Sequence, residues 1–159
     1  MAEHTVKAFD EDITRLRGLI AEMGGLVEVA LSESLDALVR GNEDLAHTVV
    51  ARDKRIDNLE MEVDRLAVRV IALRAPMGTD LRMVLSVMKI ASNLERCGDY
   101  AKNLAKRSIV LAQMHTIEGA AGSIRRMARQ VSLLLKDALD AFISRDVDLA
   151  HAVRQQDRD

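Results

Sequence analysis

Residues 49–76, VVARDKRIDNLEMEVDRLAVRVIALRAP, decide the fold. Val49, Ile56, Leu59, Val63, Leu66, Val70 and Leu73 lie three or four residues apart or at multiples of that step, the spacing that lines one face of an α-helix. Charged residues fill the positions between. Pro76 closes the segment, because the residue before a proline is pushed out of helical geometry. The pattern predicts a helix from Glu43 to about Arg74, on the order of 48 Å long at 1.5 Å per residue.

The flanking segments carry the same signals. Upstream, Gly41-Asn42 supplies a C-terminal glycine and then an N-cap. Before it, Ile13, Leu16, Ile20, Met23, Val27, Ala30, Ser34 and Leu38 predict a first helix from about Thr5 to Arg40. Gly24-Gly25 interrupts that helix at about 1 kcal/mol per glycine relative to alanine, for a bend or a close helix contact. Downstream, Gly78-Thr79 continues the turn, with Thr79 as N-cap of a third helix from Asp80 to about Met114. Thr116 is placed as the cap of a fourth helix ending near Ser144, and a fifth starts around Asp146. Short connections between long helices favour antiparallel neighbours.

Composition agrees. The chain has 159 residues, a one-domain length, and 48% are hydrophobic, enough for a substantial core. One proline and 2% aromatics disfavour a strand-rich fold. The fold class expected is all-α. A net charge of −2 shows no basic bias, which argues against nucleic acid, and so few rings leave little for base stacking. The single cysteine excludes an intramolecular disulfide and fits a reducing compartment. No signal-peptide core is visible, and no uncharged apolar run approaches the roughly 20 residues of a membrane span. A soluble, cytoplasmic protein without membrane insertion is expected.

An internal repeat is present. Residues 34–55 align without gaps on 138–159. Leu35, Asp36, Ala37, Asp44, Leu45, Ala46, His47, Val49 and Asp53 recur as Leu139, Asp140, Ala141, Asp148, Leu149, Ala150, His151, Val153 and Asp157. This divides the chain into a first three-helix unit, 1–115, and the start of a second, 116–159, which is expected to be cut short.

The chemistry-bearing residues are acids. Asp53 and Asp57 form one couplet, Glu95 and Asp99 another, each four apart and so on one helix face. Like charges at that spacing weaken a helix by a few tenths of a kcal/mol. Glu95 and Asp99 fall on the apolar arc of Leu81, Val84, Met88 and Ala91. Asp53, Asp57, Glu60 and Asp64 follow one edge of the stripe on helix two. Two readings stand side by side. One is salt bridging by Lys54, Arg55, Arg65, Arg96, Lys102 or Lys106. The other is a hard cation such as magnesium, calcium, manganese or iron, which carboxylate oxygens suit. Bundle di-iron enzymes need Glu-x-x-His pairs, which are absent. His47 and His151 read as surface or packing residues, Cys97 as an ordinary thiol, and Gly98 as a point of close helix approach. No catalytic constellation emerges.

The run Asp53-Lys54-Arg55-Ile56-Asp57, then Arg74-Ala75-Pro76 with Asp80-Leu81-Arg82, then Glu95-Arg96-Cys97-Gly98-Asp99 with Asn103, resembles the PhoU family of bacterial phosphate-transport and phosphate-regulon regulators. The resemblance covers essentially the whole chain. It implies a PhoU-like antiparallel three-helix bundle, repeated, with the second bundle incomplete here. It implies metal binding, iron or zinc by the family's habit, at Asp53, Asp57, Glu95 and Asp99. Asn103, Glu60 and Asp64 follow as weaker ligands or supporting residues; magnesium and manganese remain compatible. It implies a negative regulator without enzymatic activity, an adaptor between a phosphate ABC transporter ATPase and a sensor histidine kinase. The alternative function is a carboxylate-bundle metal-dependent enzyme or a metal store. Cys97 stands where a bulkier aliphatic residue is common. Apolar stripes left uncovered by an incomplete second bundle point to a homodimer.

Overall fold

Stripes of apolar residues at helical spacing need a partner, and three long helices supply it to one another. In the computed structural model, residues 2–113 and 120–157 are described, with side chains over 7–113 and 122–157. The helices are α1 (Ala2–Arg40), α2 (Glu43–Arg74), α3 (Thr79–Ala112), α4 (Ala120–Ser144) and α5 (Val147–Gln156). Among the described residues there is no strand. Thr116 and Met114 lie outside the described residues.

Helices α1, α2 and α3 each pack on both of the others, forming an antiparallel three-helix bundle. Leu16, Ile20, Met23 and Val27 of α1 are fully buried against Ile56, Leu59, Val63 and Val70 of α2 and Val84, Val87, Ala91 and Leu94 of α3. Burying a side chain of this kind contributes about 1.5–3 kcal/mol. A second cluster of smaller residues, Ala37, Ala46, Val49 and Ala105, closes the end near the α1–α2 turn. Leu73 departs from the expected stripe at 62% exposed: in the last turn of α2 the inward positions are Val70, Ile71 and Arg74, the last paired with Asp12 of α1 at 3.2 Å.

The turns follow the local chemistry with two exceptions. Gly41 takes φ +62°, and Asn42 Oδ1 accepts from the Leu45 N–H at 3.0 Å. At the other end of α2, Ala75 leaves the helix before Pro76, but into the left-handed region (φ 46°, ψ 52°) rather than the extended one. Gly78, at φ 56°, then starts α3, so Thr79 is already helical and makes no capping hydrogen bond. The positive φ of glycine turns the chain one residue before the threonine could cap it.

Gly24-Gly25 does not break α1, which runs unbroken through both. The reason for Gly24 is contact. A Cβ there would lie 2.6 Å from Leu139 Cδ1, so α4 rests directly on the α1 backbone. Arg17 of α1 adds a guanidinium 5.7 Å from the Phe142 ring centroid. Among the described residues α4 packs on α1 and α5 only, and α5 packs on α4.

Candidate functional site on the seam between α2 and α3

Two helices whose carboxylates face one another can approach closely only where a side chain is missing. Gly98 provides that point. It is buried, and a Cβ on it would stand 2.9 Å from Ile56 Cδ1 and 3.6 Å from Asp53 Oδ1. The seam therefore closes over Asp53, which is only 6% exposed. A buried carboxylate needs a partner. One turn beyond Gly98, Lys102 provides it: Nζ donates to Asp53 Oδ2 and, at 2.5 Å, to Asp99 Oδ1.

The two couplets thus do converge, with the Lys102 ammonium between them. Asp57, Glu60 and Glu95 are half-buried around it. Burial raises the Asp57 carboxyl above the ordinary aspartate range, and the charges of Asp53 and Asp99 push the same way against Lys102. Burial also raises Glu95, helped by the charges of Asp99, Glu60 and Asp57 and by its hydrogen bond to Asp99. Asp99 moves down, chiefly through the hydrogen bond from Lys102. Lys102 is held protonated by its hydrogen bonds to Asp53 and Asp99. Four acids thus crowd one lysine; Asp53 and Asp99 take its hydrogen bonds, and the other two, Asp57 and Glu95, hold their protons more tightly.

The depth of these residues differs from the sequence pattern. The buried stripe of α3 is Val84, Val87, Ala91, Leu94, Gly98, Ala101, Ala105 and Ser108. Glu95 and Asp99 lie one position along from it, at its edge, while Asp53, expected at an edge, is the deeply buried acid. Glu60 belongs to the cluster through its effect on Glu95, whereas Asp64 and Asn103 are exposed. Cys97 packs partly against the core, where burial raises its thiol, and His47 and His151 are exposed. What the pattern left unranked was Lys102, one of six nearby bases. Its signal is its spacing: seven residues after Glu95 and three after Asp99, it returns to their face of α3.

Carboxylates are chemically suitable donors for a hard cation. As arranged, however, the set does not fit one. Among the described residues no three His, Cys, Asp or Glu side chains are placed to hold a metal ion. The innermost oxygens of the two couplets are both turned to the ammonium.

The sequence model of the PhoU domain family matches residues 20–108 and 124–159. A phosphate-specific transport system accessory protein PhoU homolog of Zymomonas mobilis is 49% identical over 97% of this chain and 65% of its own. One of Caulobacter vibrioides is 41% identical over 100% of this chain and 69% of its own. The chain thus spans about two thirds of the length of these relatives. The crystal structure of PhoU from Pseudomonas aeruginosa superposes with a TM-score of 0.91 at 35% identity, over 94% of this chain and 72% of that one. The phosphate transport system regulatory protein PhoU from Streptococcus pneumoniae gives 0.86 at 28% identity, over 94% and 70%.

Proposed function

The chain belongs to the PhoU family, and on that premise we propose that it is a regulatory accessory protein of a bacterial phosphate transport system. It restrains phosphate uptake and phosphate-regulon signalling as an adaptor between the ATPase of a phosphate ABC transporter and a sensor histidine kinase. The observation that supports this best is likeness along nearly the whole chain to relatives named as accessory proteins of phosphate-specific transport. The proposed role is binding, not catalysis. The long helices carry the side chains of Val68, Leu73 and Tyr100, and the α2–α3 turn that of Met77, at more than half exposure, surface that a protein partner can cover.

Both proposed partners present their signalling parts in the cytoplasm, so that is where we place this chain. No helix among the described residues is long and apolar enough to cross a membrane. A homodimer is part of the reading, and the molar mass in solution tests it. The test of function is a strain lacking the gene. Phosphatase expression should become constitutive in high phosphate, and the intact protein should restore repression and co-purify with the ATPase and the kinase. Repression that never depends on the gene, or purification with neither partner, would sink the proposal.

The alternative, a metal-dependent carboxylate-bundle enzyme or a metal store, draws on the same acids. Lys102 weighs against it, because it holds the two oxygens such a centre would use first.

A further inference from the structure

We propose that the Lys102 ammonium is the resident cation of the α2–α3 seam, and that it takes the place of a metal ion there. A metal bridging the couplets must draw oxygens from both helices. The oxygens that meet across the seam are those of Asp53 and Asp99, and both accept from Lys102 Nζ. These are charge-assisted hydrogen bonds, the stronger kind.

Lys102 is not a surface lysine that swings aside freely. Its side chain is 22% exposed, and that of Asp53 is 7% exposed. Moving the ammonium out leaves Asp53 ionised, buried and unpaired, which is strongly unfavourable. Adding a metal without moving it sets two cations against each other in one seam. The helices already approach closely at Gly98, where a Cβ would stand 2.9 Å from Ile56 Cδ1. Among the described residues no third His, Cys, Asp or Glu is placed with Asp57 and Glu95 to make a substitute centre. The seam is therefore neutralised from within, one turn along the same helix that supplies Asp99.

The test begins with the wild-type protein. Manganese(II) is titrated into it to millimolar concentration while amide signals are followed by NMR. Paramagnetic broadening should not centre on Asp53, Asp99 and Lys102. Stoichiometric broadening centred there overturns the proposal, and so does stoichiometric zinc(II) or iron(II) that is lost in Asp99→Asn. In the second arm, Lys102→Met keeps the stem and removes the charge. Its thermal midpoint should fall by about 5–10 °C, and adding Asp53→Asn should recover at least half of that fall. A Lys102→Met protein as stable as wild type overturns the proposal. Should that variant not fold, the same recovery is sought as regained folding in the double variant, and its absence counts against the proposal.

Discussion

Residues 34–55 and 138–159 share a sequence pattern, and the two copies differ in what covers them. Both make the same turn. Gly41 and Arg145 take φ of 62° and 59°. Asn42 Oδ1 accepts from Leu45 N–H at 3.0 Å, and Asp146 Oδ1 from Leu149 N–H at 2.9 Å. The Asn42 N–H reaches Ala37 O at 3.0 Å, and the Asp146 N–H reaches Ala141 O at 2.9 Å. Beyond the turn the copies part. Ala46 and Val49 are 0% and 2% exposed, whereas Ala150 is exposed and Val153 half-buried. Asp53 is buried and paired, and Asp157 is exposed. The turn is a local property that the repeated residues carry with them. The burial belongs to α3, which among the described residues covers the first copy and not the second.

The two copies should differ most when the same charge is placed in both. Val49→Asp should cost several kcal/mol, a large share of a typical domain's stability, because an ionised carboxylate would stand unpaired in the core. Val153→Asp should shift the urea midpoint little. Equal losses would mean that the second copy is covered as well as the first.

Next come the two close glycine contacts. Gly98→Ala forces Ile56 to move in a packed core; overpacking of this kind costs about 1–3 kcal/mol, offset by about 1 kcal/mol of helix propensity. The unfolding of the whole bundle should shift. Gly24→Ala pushes instead on Leu139, so hydrogen exchange should accelerate in α4 while α2 and α3 keep their protection. If both variants lowered protection evenly along the chain, α4 would be as integral as α3.

The caps should give matched effects of about 1 kcal/mol for Asn42→Ala and for Asp146→Ala, each read in its own helix by hydrogen exchange. At the turn itself, Arg145→Gly should stabilise by up to about 1 kcal/mol, since a side chain in the left-handed region is strained where glycine is not.

The smallest effect concerns Glu95. Its folded-state carboxyl lies above the ordinary glutamate value of 4.5, so the native state binds this proton more tightly than the unfolded chain. The stability this contributes is present below 4.5 and is lost as pH rises through the folded value. Glu95→Gln should flatten the pH dependence of the melting midpoint there and leave the protein slightly more stable at neutral pH. An unchanged profile would remove Glu95 from the cluster.

Much of this could be read from the residues. The stripe from Val49 to Val70 marked α2, Gly41-Asn42 its start and Pro76 its end. Those signals act within a few residues, so the sequence displays them directly. The two couplets could be seen to share faces, and Gly98 to permit approach. Depth could not be ranked, because it depends on how two helices rotate about their axes once packed. A shift of one position moved Glu95 and Asp99 to an edge and Asp53 to the interior. Gly24-Gly25 looked like an interruption because its partner, Leu139, lies more than a hundred residues away. Lys102 was one base among several until a buried acid gave it a task.

The sequence separation of its contacts implies an order of assembly for the seam. Arg52 and Glu33, which join α1 to α2, are 19 residues apart, whereas Lys102 and Asp53 are 49 apart. Contacts between near neighbours in the chain form first, and synthesis delivers the chain from its N-terminus. A hairpin of α1 and α2 can therefore exist on the ribosome before Lys102 has been made. In such a hairpin, with no α3 over it, Asp53 would face water and need no counter-ion. When α3 emerges, the helix that withdraws Asp53 from solvent delivers its neutralising charge in the same step.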